Sequence, residues 1–424
     1  MIKDSLFKAS SLVLMGTMVG NIFNYVFQIT MGRMLTVSTF GEMNALLSVM
    51  VIFGVPFASI TSFLVKNVAT YDALSLTKRT NDLIIKSYKN LLAAGCIMFL
   101  TGAFFSSYLS KYLKIDSVIP VILLFLSIVA SICIPINTGI LQGLHKFKML
   151  SFVSAGGGIF RYLLCFFLVY LGLGLIGVMI GIILTVVLIG VISFMPIANH
   201  LKLGREYIDE KYNSLLPVII PIFIANIAFA ILTQSDIILV KYIFTPHEAG
   251  IYSSAAIIGR TVMYLPGAIV ISLFPMVASN KARDEGTLHL ILKALAMTIA
   301  LSGTGTLALY LFPDFIVSLF FGNRFSSAAY IIGLFAIAML PMAFLMIIMH
   351  YNMAKGGKYF AYIMLLGSVM QVVGIVYFHD SLITVLKVML ISGSLCVTIL
   401  FAFLTLEYYR GKLQSLVLSV KANK

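Results

Sequence analysis

Charge is what this sequence has least of. Asp, Glu, Lys and Arg together make up only 10% of its 424 residues, whereas soluble domains carry about 25%. Hydrophobic residues make up 61%, and the mean hydropathy is +1.06. So few charged side chains cannot cover a surface that faces water, and most of the protein must therefore face lipid. The loops left over are too short for a large catalytic domain outside the membrane.

Motifs of catalysis and of metal binding are also missing from the sequence. It contains no Walker sequence, no HExxH, no DxD and no GxSxG, and its six histidines show no paired spacing. Its four cysteines fall inside apolar runs without CxxC spacing, which excludes a zinc or disulfide pattern. We therefore expect a protein that is not an enzyme and that needs no metal or cofactor.

Acidic residues are scarcer than basic ones. The chain has 29 Lys and Arg against 15 Asp and Glu, a formal net charge of +14. In a soluble protein this excess would suggest nucleic acid. In a membrane protein, cytoplasmic loops collect Lys and Arg, and anionic lipid head groups attract them. The charge thus predicts membrane lipids as partners and no nucleic acid.

Apolar runs long enough to cross a bilayer recur along the whole chain. A bilayer core of about 30 Å needs roughly 20 residues of helix. The runs cover residues 9–31, 43–65, 88–109, 117–141, 150–171, 174–199, 215–241, 250–275, 288–312, 326–350, 358–378 and 383–406. They predict an all-α integral membrane protein with twelve transmembrane helices. The charged stretch HLKLGREYIDEKYNS at 200–214 separates six helices from six, which predicts an N-terminal lobe at 1–199 and a C-terminal lobe at 215–424.

The distribution of basic residues predicts the orientation. If the N-terminus is cytoplasmic, most of the 29 Lys and Arg residues fall on the cytoplasmic side, including those of the 200–214 loop and the C-terminal tail. The opposite side holds Arg33, Lys111, Lys114, Lys241, Arg324 and Lys387. We therefore expect a multi-pass protein of the cell membrane with both termini in the cytoplasm. The N-terminal run lacks a small-residue cleavage site, so it is predicted to be a retained first helix.

The two halves of the chain share a faint likeness. LTVSTFGEMNALLSV at 35–49 follows the first run, and FTPHEAGIYSSAAII at 244–258 follows the seventh. Gly41 and Gly250 occupy the same place in the two copies. Because both copies start with an odd-numbered helix, the likeness predicts a parallel repeat about an axis along the membrane normal.

One stretch carries a resemblance to a known family. SDIILVKYIFTPHEAGIYSSAAIIGRTVMYLPGAIVISLFPMVAS, residues 235–279, resembles the seventh and eighth helices of polysaccharide transporters and oligosaccharide-lipid flippases. These belong to the multidrug, oligosaccharidyl-lipid and polysaccharide (MOP) exporter superfamily. The resemblance implies two six-helix lobes around a central cavity that opens alternately to either side and is bordered by the first and seventh helices. In lipid II flippases, cationic residues line the cavity on the first, second and eighth helices. Here Arg33 and Arg260 match two of these, and the second helix has none.

Three charged residues are predicted to lie at membrane depth: Arg161, Asp236 and Arg260. A charge there costs about 3 kcal/mol or more, so each must face protein or water. Two cations against one carboxylate leave a positive surplus, which suits an anionic ligand such as a polyprenyl diphosphate head group, because guanidinium groups bind phosphate oxygens bidentately. The alternative for Asp236 and Arg260 is that they pair with each other.

Uncharged polar residues form a stripe on the first helix. Asn21, Asn24 and Gln28 have the spacing of one helical face. They are predicted to line the cavity and bind substrate, or alternatively to form interhelical hydrogen bonds.

Three functions remain open from the sequence. The first is a flippase that moves a polyprenyl-diphosphate-linked oligosaccharide across the cytoplasmic membrane for surface polysaccharide biosynthesis, alongside polysaccharide assembly proteins. The second is a cation-coupled multidrug exporter of the same superfamily, although the first helix lacks the acidic residue expected there. The third is a membrane polysaccharide polymerase, which the short outer loops disfavour.

Overall fold

A computed structural model describes residues 2–201, 216–282 and 286–422, and every regular element in these ranges is a helix. The predicted cytoplasmic loop at 200–214 lies outside the described residues, apart from its first two positions.

The chain divides into two compact units. The first holds Met1–Leu215 together with Phe244–Ile251, and the second holds Leu216–Ile243 and Tyr252–Lys424. The helices up to the gap at 202–215 are α1 Ile2–Met34, α2 Val37–Ala73, α3 Thr77–Phe104, α4 Ser106–Tyr112, α5 Ile119–Ser131, α6 Cys133–Gly143, α7 Phe147–Leu168 and α8 Gly174–Leu201. Those that follow are α9 Leu216–Ile243, α10 Pro246–Gly259, α11 Thr261–Tyr264, α12 Gly267–Ala282, α13 Leu288–Leu311, α14 Pro313–Phe321, α15 Ala329–Lys355, α16 Tyr359–Tyr377 and α17 Leu382–Ala422.

Ten segments of the described chain are long and apolar enough to cross a membrane. One of them, Phe147–Leu201, has 55 residues, about twice the length of one crossing. It consists of α7 and α8, and the kink between them contains Gly172 at φ 87° and Gly174 at φ 48°. These left-handed values favour glycine because it has no Cβ. With this segment counted twice and the interrupted α10–α12 added, the prediction of twelve membrane-spanning helices is confirmed.

The predicted eighth run, 250–275, is not one helix but three, α10, α11 and α12. The break precedes Pro266, which has no N–H to bond the carbonyl of Val262 four residues earlier. The hydroxyl of Ser302 on α13 donates to that carbonyl oxygen at 2.8 Å. The side chain of a neighbouring helix thus satisfies the backbone group that the proline leaves open, as lipid-embedded helices require.

Glycines let α1 and α7 pack in direct backbone contact. A Cβ atom on Gly20 would overlap the carbonyl of Ser154, and one on Gly158 would overlap the backbone of Gly20. Farther back along both helices, the hydroxyl of Ser151 donates to the carbonyl of Leu12 at 2.6 Å. Later residues of α1 therefore contact later residues of α7, so the two helices run parallel. This packing brings side chains one turn beyond Gly20 and Gly158 next to each other.

The turn between α9 and α10 belongs to the first unit. Lys114 donates from Nζ to the carbonyl oxygen of Phe244 at 2.8 Å. The helix start is closed by a capping box, in which Glu248 accepts from the backbone N–H of Thr245 at 3.0 Å and from its hydroxyl at 2.7 Å. These hydrogen bonds, from the hydroxyl and the N–H of Thr245, lower the pKa of Glu248 below its usual value. The turn is thereby fixed at both ends.

Candidate functional site

Arg161 on α7 reaches across to α1. Its Nη1 lies 3.5 Å from Oδ1 of Asn24, and its Cζ lies 4.4 Å from the ring centroid of Phe27. A hydrogen bond of 3.5 Å is long and therefore weak. A guanidinium over an aromatic ring gains cation–π attraction, which grows where water is excluded. The charge of Arg161 is thus bordered by a neutral amide and a ring.

Two buried polar atoms of this region have no hydrogen-bond partner among the described residues. They are Nε of Arg161, a donor, and Oε1 of Gln28, an acceptor. Among the described residues, no carboxylate forms an ion pair with Arg161. We name Asn24, Phe27, Gln28 and Arg161 the α1–α7 cluster. Unsatisfied buried groups cost about 1–3 kcal/mol each, and more when charged, so the cluster is suited to a ligand that supplies the missing partners.

Arg260, in the second unit, has a carboxylate partner, although its Nε also lacks a hydrogen-bond partner among the described residues. Its Nη2 lies 2.6 Å from Oδ1 of Asp236, and its Nη1 donates to Oε1 of Gln234 at 3.0 Å. The hydroxyl of Tyr252 donates to the other carboxylate oxygen at 3.0 Å. Asp236 is fully buried and Arg260 is 8% exposed. The pairing left open by the sequence is therefore formed, and it neutralises Arg260.

The other two predicted residues of the first unit have exposed side chains. Asn21 is exposed on α1, three residues before Asn24. Arg33 is also exposed and lies nine residues after Asn24, about 13 Å farther along the helix axis at 1.5 Å per residue. The structure therefore brings Asn24 and Arg161 together but leaves Arg33 at the end of α1.

Sequence reasoning missed three contributors to these sites. Gln234 could have been noticed, because it is two residues from Asp236 in the polar run TQSD at 233–236 of a largely apolar helix. Phe27 and Tyr252 gave no signal, since aromatic residues are common in lipid-facing and core positions alike. The described residues hold no group of three or more His, Cys, Asp or Glu side chains arranged to bind a metal ion.

The sequence and the fold both match known proteins. The family model for polysaccharide biosynthesis proteins matches residues 6–281. An uncharacterized membrane protein of Methanocaldococcus jannaschii is 24% identical over 388 residues, covering 87% of this chain and 90% of that protein.

Solved structures show the same fold at low identity. A multidrug resistance MATE family transporter of the MOP superfamily, in an inward-facing conformation, is similar with a TM-score of 0.79, 13% identity and coverage of 96% of this chain and 99% of that one. The lipid II flippase MurJ, in an inward closed conformation, is similar with a TM-score of 0.71, 14% identity and coverage of 92% and 87%. The relationship predicted from residues 235–279 is confirmed. The chain belongs to the polysaccharide biosynthesis protein family, and its fold is similar to those of the MATE family transporter and MurJ.

Proposed function

We propose that this protein is a flippase that translocates a polyprenyl-diphosphate-linked oligosaccharide across the cytoplasmic membrane by alternating access, for surface polysaccharide biosynthesis. It would act as a multi-pass protein of the cell membrane with both termini cytoplasmic. The observation that carries the proposal is the environment of Arg161, whose charge meets no carboxylate among the described residues while that of Arg260 does.

A diphosphate head group supplies what Arg161 lacks. Removing an isolated charge from water is costly, so an unpaired guanidinium at membrane depth favours an anionic ligand. Its planar set of N–H donors matches phosphate oxygens, and charge-assisted hydrogen bonds are about twice as strong as neutral ones. The unpartnered Nε would donate to such an oxygen. The substrate roles predicted for Asn21, Arg33 and Arg260 remain predictions.

The family supports the substrate class. The matching model describes polysaccharide biosynthesis proteins, and one similar fold belongs to a flippase of lipid II. A lipid-linked sugar intermediate must cross the membrane when a glycan is started inside and completed outside. A flippase fits this step.

A cation-coupled multidrug exporter is the second candidate, favoured by the MATE transporter fold. Such a protein binds cationic drugs or coupling ions through carboxylates. The carboxylate at membrane depth here, Asp236, is already held by Arg260 and Tyr252. The environments of the two arginines thus favour an anionic substrate over a cationic one.

Transport by purified protein in proteoliposomes separates these functions. We expect translocation of a fluorescent polyprenyl-diphosphate oligosaccharide, at least tenfold slower translocation by Arg161→Ala, and partial activity of Arg161→Lys, which keeps the charge but loses the planar donors. Arg324→Ala, at an exposed position, is the matched control. Efflux of cationic drugs without lipid translocation would support the exporter, and a lengthened glycan in the product would support the polymerase.

A further inference from the structure

We propose that Gln28 recognises the sugar that is joined directly to the diphosphate, by accepting a hydrogen bond from it. The inference rests on the proposed function and assigns the side chain that distinguishes a glycosylated lipid from the bare lipid diphosphate.

The buried Oε1 atom of Gln28 has no hydrogen-bond donor among the described residues. Gln28 follows Phe27, whose ring lies against the guanidinium of Arg161, and it is four residues beyond Asn24. One helical turn spans about 5.4 Å along the axis. An acceptor therefore lies roughly one turn away from the place where Arg161 meets Asn24.

The two unpartnered atoms require opposite kinds of hydrogen-bond partner. Nε of Arg161 needs an acceptor and Oε1 of Gln28 needs a donor. A diphosphate esterified at both ends has lost its protons at neutral pH, so its oxygens accept hydrogen bonds but donate none. It can satisfy Arg161 but not Gln28.

A sugar supplies the missing donor. Every hexose carries hydroxyl groups, and an N-acetylhexosamine also carries an amide N–H. In a lipid-linked oligosaccharide, the first sugar follows the diphosphate directly, so phosphate oxygen and sugar donor occur in series along one molecule. The α1–α7 cluster presents their counterparts in series as well, with the guanidinium of Arg161 followed by the amide oxygen of Gln28. A ligand without the sugar would leave Gln28 unsatisfied, and a site built for a hydrogen bond discriminates against a ligand that lacks it.

Binding of matched lipids to the purified full-length protein in nanodiscs tests this role. The bare probe is polyprenyl diphosphate closed by a methyl ester, so that it has the charge of a diester and no O–H to donate. The other two probes bear one hexose or one N-acetylhexosamine on the diphosphate, and all three are compared by competition in native mass spectrometry. We expect the wild type to bind at least one sugar-bearing probe about tenfold more tightly than the bare one. Gln28→Met, of similar length but without the acceptor, should remove this preference while keeping affinity for the bare probe within about twofold.

Two further variants complete the test. Arg161→Ala should weaken binding of all three probes together. Asn67→Leu removes a half-buried amide that bonds the carbonyl of Phe63 in its own helix, and it should keep the sugar preference.

Each alternative gives its own result. Equal affinity of the wild type for all three probes would mean that water, and not the sugar, donates to Gln28, and it would overturn the inference. This comparison uses the wild type alone, so it does not depend on the folding of any variant. Equal weakening of all probes by Gln28→Met would assign the residue a positioning role and would also overturn it. Binding of none of the probes would instead reject the proposed function itself.

Discussion

Gly41 and Gly250 meet backbone to backbone. A Cβ atom on Gly41 would lie 2.8 Å from the backbone nitrogen of Gly250 and 3.0 Å from its Cα. The two residues occupy matching places in the two halves of the sequence, near the starts of α2 and α10. The contact lies within the first unit, to which both glycines belong, and joins the two segments that the sequence likeness pairs.

Alanine at either glycine should destabilise the protein. A Cβ at Gly250 would overlap the carbonyl of Val37, which is backbone and cannot rotate away. We expect a loss of about 1–3 kcal/mol for Gly250→Ala, as for other overpacked sites, measured by thermal unfolding in detergent. Gly54→Ala is the control, because Gly54 lies in α2 with nothing within 4 Å of the added atom. Equal unfolding temperatures for the Gly54 and Gly250 variants would contradict the contact.

Ser302 should matter only because Pro266 is present. Ser302→Ala leaves the carbonyl of Val262 without a donor, and we expect a loss of roughly 1 kcal/mol of stability. In a Pro266→Ala background, the new N–H can bond that carbonyl within the helix. The serine substitution should then cost clearly less. A double-mutant cycle on unfolding measures this coupling, and additive effects would show that the hydroxyl serves another purpose.

Removing one member of the Asp236–Arg260 pair should be worse than removing both. Either Asp236→Asn or Arg260→Gln leaves a buried charge without its partner, at an expected cost of about 3–5 kcal/mol. The double variant should recover membrane abundance and transport. Normal abundance with lost transport in the double variant would instead support the predicted substrate role of Arg260.

Cysteine labelling of intact cells tests the predicted orientation. With Cys96, Cys133, Cys165 and Cys396 replaced by serine, a cysteine at Asn323 should react with a membrane-impermeant reagent added outside. A cysteine at Tyr207, in the predicted cytoplasmic loop, should react only after the membrane is opened. The reverse pattern would invert the topology.

The span count followed from the sequence because lipid imposes a simple requirement on composition. A run of about 20 apolar residues has few alternatives to a membrane helix. The interruption of the eighth run could not be predicted from composition alone. Pro266 indicated a bend, but the donor that permits it, Ser302, lies 36 positions away and could be identified only once α13 was placed beside it.

The candidate site was predictable only in part. Arg161, Asp236 and Arg260 could be identified because charged residues are rare in membrane-spanning helices, where each must face protein or water. Which of the two arginines pairs with the carboxylate of Asp236 depends on side-chain positions to within a few ångströms. Sequence spacing does not predict these positions. The approach of Asn24 to Arg161 similarly depends on the contact of Gly20 with Gly158, which joins segments far apart in the chain.

The position of Phe244–Ile251 has a consequence for expressing the protein as two fragments. Because this segment belongs with the first unit although it follows α9, the two units are not consecutive halves of the gene. A polypeptide that stops within 202–215 would lack the chain that Lys114 and Gly41 contact. Co-expressed fragments cut there should therefore accumulate together or not at all, and the second fragment would act as a folding subunit of the first.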